Sequence, residues 1–133
     1  MAGHMSDQQH FTTGAYRDID VDKLDIEAAV SPIVIERYVQ YLHKHALMPD
    51  GTKRPNDNWQ KGIPINNYMK SLVRHFIDVW KIHRGFKCNT NLEDSLCAVL
   101  FNTMGYLFEI LREKDPEEKA VYMPSTKNLL ERK

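Results

Sequence analysis

The sequence predicts an all-α fold: a compact helical domain of three main helices, with room for a short C-terminal one and an irregular N-terminal arm. Two observations carry this. Apolar residues recur at spacings of three and four in three long stretches, and Pro and Gly turn chemistry fills the gaps between them. A third is negative, since the one fair strand candidate is short, at residues 121–123. With 133 residues, 42% hydrophobic and 27% charged, the chain fits one folded domain and lies away from the composition of disordered chains.

Met1-Ala2-Gly3-His4-Met5 reads as a cloning scar with a second start at Met5, so residues 1–5 are set aside. Residues 6–30 are polar, rich in Asp and broken by Gly14, which predicts an arm; residues 31–115 form the helical core domain and 116–133 a tail. Ser31 is a good N-cap and Pro32 suits the first helical position, and with Ile33, Ile35, Val39 and Leu42 following they predict a helix over 32–47. Pro49-Asp50-Gly51 ends it, and a long loop follows through Pro55, Gly62 and Pro64. A second helix, over 66–83, gathers Met69, Leu72, Phe76, Val79, Trp80 and His83 on one side, and Gly85 stops it. Asn91 can cap a third, running to about residue 114 with Leu92, Leu96, Val99, Leu100, Thr103, Leu107 and Leu111. Between Leu96 and Leu111 this helix is apolar nearly all round, so it must be wrapped by the others or shared with a second subunit. Three helices cover it thinly, and a homodimer or higher oligomer is expected. Pro116 ends the third helix, and the tail carries Pro124-Ser125 and then Leu129 and Leu130.

Several functions are disfavoured by composition. Eighteen basic residues balance eighteen acidic ones, which removes the counterion-release argument for direct nucleic-acid binding. No uninterrupted apolar run approaches the ~20 residues of a membrane span and no apolar signal core opens the chain, so a cytoplasmic protein is expected. Cys88 and Cys97 lack metal-type spacing and read as free thiols. Asp18, Asp20 and Asp22 begin like a calcium loop, but Lys23 and Ala29 replace the Gly and Glu it needs. His43 and His45 stand two apart, which on a helix points them in different directions. There is no phosphate-binding Gly loop, nucleophile elbow or Cys-x-x-Cys.

The richest local stretch runs from Asn56 to Pro64, where Trp59 stands among Asn58, Gln60, Lys61 and Gly62. An aromatic ring beside amides and a cation can stack a base and hold an anion; the plainer alternative is a loop pinned by Trp59 against the second helix. On that helix Lys70, Arg74 and Lys81 form a polar stripe with Asp78 one turn from Arg74, either a phosphate-facing surface or a solvated face. His75 lies at the border between faces. Glu93 and Asp94 occupy the first turn of the third helix, where they either complement its dipole or bind Mg²⁺. Asp94, Ala98 and Asn102 share one side, which places a carboxylate and a buried amide together.

Taken in order, Thr13-Gly14-Ala15-Tyr16-Arg17-Asp18, Lys23, Asn58-Trp59-Gln60-Lys61-Gly62-Ile63-Pro64, Tyr68, Ser71-Leu72, Arg74-His75 and Glu93-Asp94 through Phe101-Asn102 resemble the phage family named dATP/dGTP diphosphohydrolase, N-terminal domain, over residues 11–112. That family is similar in helical make-up to the MazG-related pyrophosphohydrolases, which use Mg²⁺ held by helix carboxylates to convert (d)NTPs to (d)NMPs and pyrophosphate. The resemblance implies a purine nucleotide as ligand, met at its phosphates by Arg17, Lys23, Lys61 and Arg74 and at its base by Asn58 and Trp59. It implies His75, Glu93 and Asp94 as catalytic residues, the last two as Mg²⁺ ligands, and Asn102 as a further nucleotide contact. Leu92 and Ser95 stand where the family carries an acidic residue and a His, and Glu109, Glu113 and Glu117 are spaced by four rather than paired as Glu-x-x-Glu. Three functions therefore remain open: a Mg²⁺-dependent hydrolase of dATP- or dGTP-like nucleotides, a non-catalytic module that sequesters a nucleotide or signalling nucleotide, and an accessory subunit that docks on another protein.

Overall fold

A computed structural model describes residues 8–19 and 23–114, and the chain divides into two compact units, residues 1–34 and 35–133. In the first, β1 (Gln8–His10) pairs antiparallel with β2 (Tyr16–Asp18), Gln9 opposite Arg17. The turn between them closes with Phe11 N–H donating to the Ala15 carbonyl at 2.9 Å, and it needs Gly14 at φ +93°. A one-turn helix, α1 (Ile26–Ala29), is capped by the Asp25 carboxylate, which accepts from Ala28 N–H at 3.0 Å. Both lie in the stretch expected to be an irregular arm. Three-residue strands exposed on every position carry no alternating signal to read.

The three long helices are those the periodicity predicts. α2 (Pro32–Lys44) starts at the Ser31 cap but stops before the expected residue 47. The chain turns at His45 and Ala46, and Leu47 pairs with Lys53 as an isolated antiparallel bridge. The bridge is closed by the Pro49-Asp50-Gly51 turn, where Gly51 takes φ +88° and Asp50 Oδ1 accepts from both Thr52 N–H and Thr52 Oγ1. A 3₁₀ turn (Asn58–Lys61) follows, then α3 (Ile65–His83), ended by Gly85 at φ +87°. α4 (Leu92–Lys114) begins as expected, with Asn91 Oδ1 accepting from Asp94 N–H at 2.7 Å.

The short 84–91 connection returns the chain, so α4 runs back antiparallel along α3. The closest approach is at Gly105, whose missing side chain makes room for the Tyr68 ring, 1% exposed. Burial pushes the Tyr68 phenol up to about 12, with the nearby Glu109 carboxylate adding to it. α2 meets α4 where Tyr38 is buried with its hydroxyl 4.0 Å from Met104 Sδ. Among the described residues the buried apolar side chains are few: Tyr38, Ala46, Tyr68, Cys97 and Ala98, beside the polar Ser95, Asn102 and Glu109. By length and composition α4 is apolar enough to cross a membrane, which the sequence did not lead us to expect; about a third of that window is buried within the fold. The expected short C-terminal helix and the strand at 121–123 fall outside the described residues.

Candidate functional site

The Asn58–Gly62 block is held on α4 by a buried ion pair. Glu109 and Arg112, one turn apart, bond to each other at 3.0 Å. Arg112 Nη1 donates to the Gln60 carbonyl at 2.9 Å, and Glu109 Oε2 accepts from Ile63 N–H at 3.1 Å. Gly62 is required twice over: its φ is +124°, and a Cβ there would lie 2.8 Å from Arg112 Nη2. So clamped, Trp59 packs edge-on against Phe108 (5.0 Å between centroids) and Phe101 (6.1 Å). The pinning expected against the second helix is made on α4 instead.

Beside this loop opens a cleft of about 440 Å³ between α2, α3 and α4. Its lining holds two guanidinium groups, Arg54 and Arg74; two imidazoles, His45 and His75; the rings of Tyr41, Trp59 and Phe101; and the amides of Asn56, Asn58 and Asn102. Among the described residues no carboxylate lines it. Arg54 is set in place by its Nη2, which donates to the His45 carbonyl at 2.6 Å, and the Tyr41 and His45 rings pack tilted at 47° with centroids 4.4 Å apart. Arg74 reaches Ser71 Oγ at 3.4 Å rather than Asp78, whose carboxylate accepts from the Cys88 thiol. Burial, with the Arg74 charge beside it, lowers the His75 pKa and favours the neutral ring near pH 7. Asn102 is buried, and its Nδ2 donates to the Ala98 carbonyl one turn back at 2.8 Å.

A smaller hollow of about 230 Å³ adjoins the cleft and shares Tyr41, His45 and His75 with it; Asp94 lies in its wall. Both Asp94 oxygens are engaged, Oδ1 by Arg37 Nη2 at 2.7 Å and Oδ2 by Lys44 Nζ at 2.8 Å. These cations hold the Asp94 pKa down at about 2, Lys44 first and Arg37 next. Glu93 is exposed and bonds Arg37 Nε at 2.8 Å. As a donor set for Mg²⁺ the pair fits poorly. Its oxygens already answer two cations, and no cluster of three His, Cys, Asp or Glu surrounds it among the described residues.

Of the residues singled out in the sequence, the fold therefore brings Asn58, Trp59, Arg74, His75 and Asn102 into one cleft and leaves Asp94 at its neighbour. Lys61 is exposed at the end of the 3₁₀ turn and lies outside the lining. Arg17, on β2, and Lys23, before α1, belong to the other unit. Of the other lining residues, Tyr41 and Arg54 were not singled out in the sequence, His45 was weighed only in a metal pair with His43, and Asn56, Ser71 and Phe101 were noted only within longer blocks. Tyr41 and His45 stand four apart and so share a helix side, which is the signal that would have found them. Comparison with protein-family models, curated proteins and solved structures finds no match.

Proposed function

We propose that the cleft binds a purine (deoxy)nucleotide. The observation that carries the reading is the lining, two arginines and two histidines with no carboxylate among the described residues, set against aromatic rings and amides. An anionic group gains charge-assisted hydrogen bonds from Arg54 and Arg74. A base has the Trp59 and Tyr41 faces to lie on and the Asn56, Asn58 and Asn102 amides to read its edge. The purine comes from the family resemblance, as does the expectation of a phage-encoded protein working in the bacterial cytoplasm. Binding without turnover is the reading the carboxylates favour, because Glu93 and Asp94 are paired with Arg37 and Lys44; a sequestering module needs no more than the cleft. Hydrolysis is the second reading, favoured by Asp94 facing the adjoining hollow.

A thermal-shift screen against (d)NTPs, (d)NMPs and cyclic dinucleotides, with and without Mg²⁺ and with pyrophosphate read on every hit, tests this. A purine nucleotide at a hundred times its Kd is expected to add about 2.7 kcal/mol to stability. Arg74→Ala is expected to weaken binding at least tenfold and leave the ligand-free melting temperature within a few degrees, since Arg74 is exposed and bonds one hydroxyl. No shift with any nucleotide overturns the proposal, and pyrophosphate release selects the hydrolase over the sequestering module.

A further inference from the structure

Four basic side chains of the cleft form a connected series. Arg54 Nη2 donates to the His45 carbonyl at 2.6 Å, His45 lies close enough to His75 for the charge of one ring to oppose that of the other, and Arg74 precedes His75 on α3. Among the described residues no carboxylate forms an ion pair with any of the four. The acids nearby are engaged elsewhere. Asp78, three residues beyond His75, accepts from the Cys88 thiol, and Asp94, in the wall of the adjoining hollow, has its two oxygens on Arg37 and Lys44. The fold thus gathers cationic groups without an answering charge, an arrangement that repels itself until an anion enters.

We infer that this basic series receives a terminal, doubly charged phosphoryl group, and that His75 takes up a proton as the group enters; the inference rests on the reading of the cleft as a nucleotide site. Charge selects the terminal group. Both guanidinium groups stay charged at every working pH, so a singly charged phosphodiester leaves one of them unanswered, whereas a dianion answers both and offers three oxygens to their remaining N–H groups. The proton follows from what faces His75. Its own helix brings Arg74 and Asp78, α2 brings His45, the phenol of Tyr41 and Lys44, the loop before the 3₁₀ turn brings Arg54, and α4 brings Asp94. Burial and then Arg74 hold the ring neutral, with Asp78 opposing them and His45 adding to them. A phosphoryl dianion beside the ring reverses that balance, and the imidazolium gains a charge-assisted hydrogen bond to it. Since the bound pKa then lies above the free one, the gain in affinity appears as pH falls through the bound value and is absent well above it.

Imidazole proton–nitrogen correlation spectra of the whole protein test this, recorded across neutral pH with dAMP and dGMP and with their 3′,5′-cyclic counterparts. A monophosphate is expected to move the His75 resonances and raise the His75 pKa by about one unit, and its cyclic diester to bind about tenfold more weakly. A one-unit rise gives at most about a tenfold gain in affinity between about pH 8 and pH 6. His75→Gln is expected to lose that gain, and because the ligand's own ionisation enters wild type and variant alike, the ratio of their affinities isolates the proton on His75. A monophosphate that moves the side-chain resonances of Trp59 or Asn102 but leaves the His75 pKa where it was overturns the inference and leaves the nucleotide reading standing. Equal binding of the cyclic counterpart does the same. If none of the four ligands moves a resonance of the cleft, the inference falls together with the reading on which it rests.

Discussion

Gly105 and Tyr68 show how little slack single positions carry. A Cβ on Gly105 would lie 2.3 Å from the Tyr68 ring, so Gly105→Ala is expected to cost about 1–3 kcal/mol, read as a lower urea midpoint. The Tyr68 hydroxyl is buried without a hydrogen-bond partner, so Tyr68→Phe is expected to be neutral or stabilising by about 1 kcal/mol in the same assay. Asp94 sets an acid limit. Its folded pKa, about 2, lies below the unfolded value of about 3.9, so the stability it contributes is present above about pH 4 and lost as pH falls toward 2. Urea midpoints measured across that window should fall in the wild type and fall less in Asp94→Asn. Sequence alone placed Asp94 in a first helical turn and Asn91 as its cap, because both signals are local. It did not disclose Arg37 and Lys44, which come from 57 and 50 residues earlier and are brought in by the packing of α2.

At the scale of elements, the clamp between α4 and the 58–63 loop is the most consequential feature. Glu109→Ala leaves Arg112 and the Ile63 N–H without their partner, and breaking so buried a pair is expected to cost about 3–5 kcal/mol. Glu109→Gln keeps the shape and is expected to cost less. Trp59 emission reports the outcome: it should shift to the red in the Ala variant as the ring leaves Phe108 and Phe101, and nucleotide binding should weaken with it. The three long helices were legible because periodicity ran over thirteen or more residues in each, supported by a cap at the start of α2 and of α4 and by a glycine after α3. The end of α2 was not, since nothing local to Ala46 or Leu47 forbids helix; the Leu47 to Lys53 bridge wins by closing the turn around Gly51. In the cleft, the Asn58-Trp59 block was legible as a place for a ring and amides. Its seat on α4 was hidden in Glu109 and Arg112, which in sequence look like ordinary polar residues at the end of an apolar helix.

For the molecule as a whole, the homodimer expected from the sequence would make stability a function of concentration, since few apolar side chains are buried among the described residues. Each tenfold dilution should remove about 1.4 kcal/mol, lowering the melting temperature by roughly 3–6 °C for two chains of this size. A melting temperature that ignores dilution across two decades would mark a self-sufficient single chain. The apolar circumference of α4 was the sequence signal for this, and the structure divides it into a side that faces the fold and one that faces outward. Within one helical turn, Phe101 and Asn102 border the cleft while Leu100 and Thr103 look the other way. On this reading the two equilibria share a rigid rod and must obey reciprocity: whatever factor the nucleotide gains by finding the chains paired, pairing gains by finding the nucleotide bound. Where that factor exceeds one, dilution that separates the chains also releases the ligand.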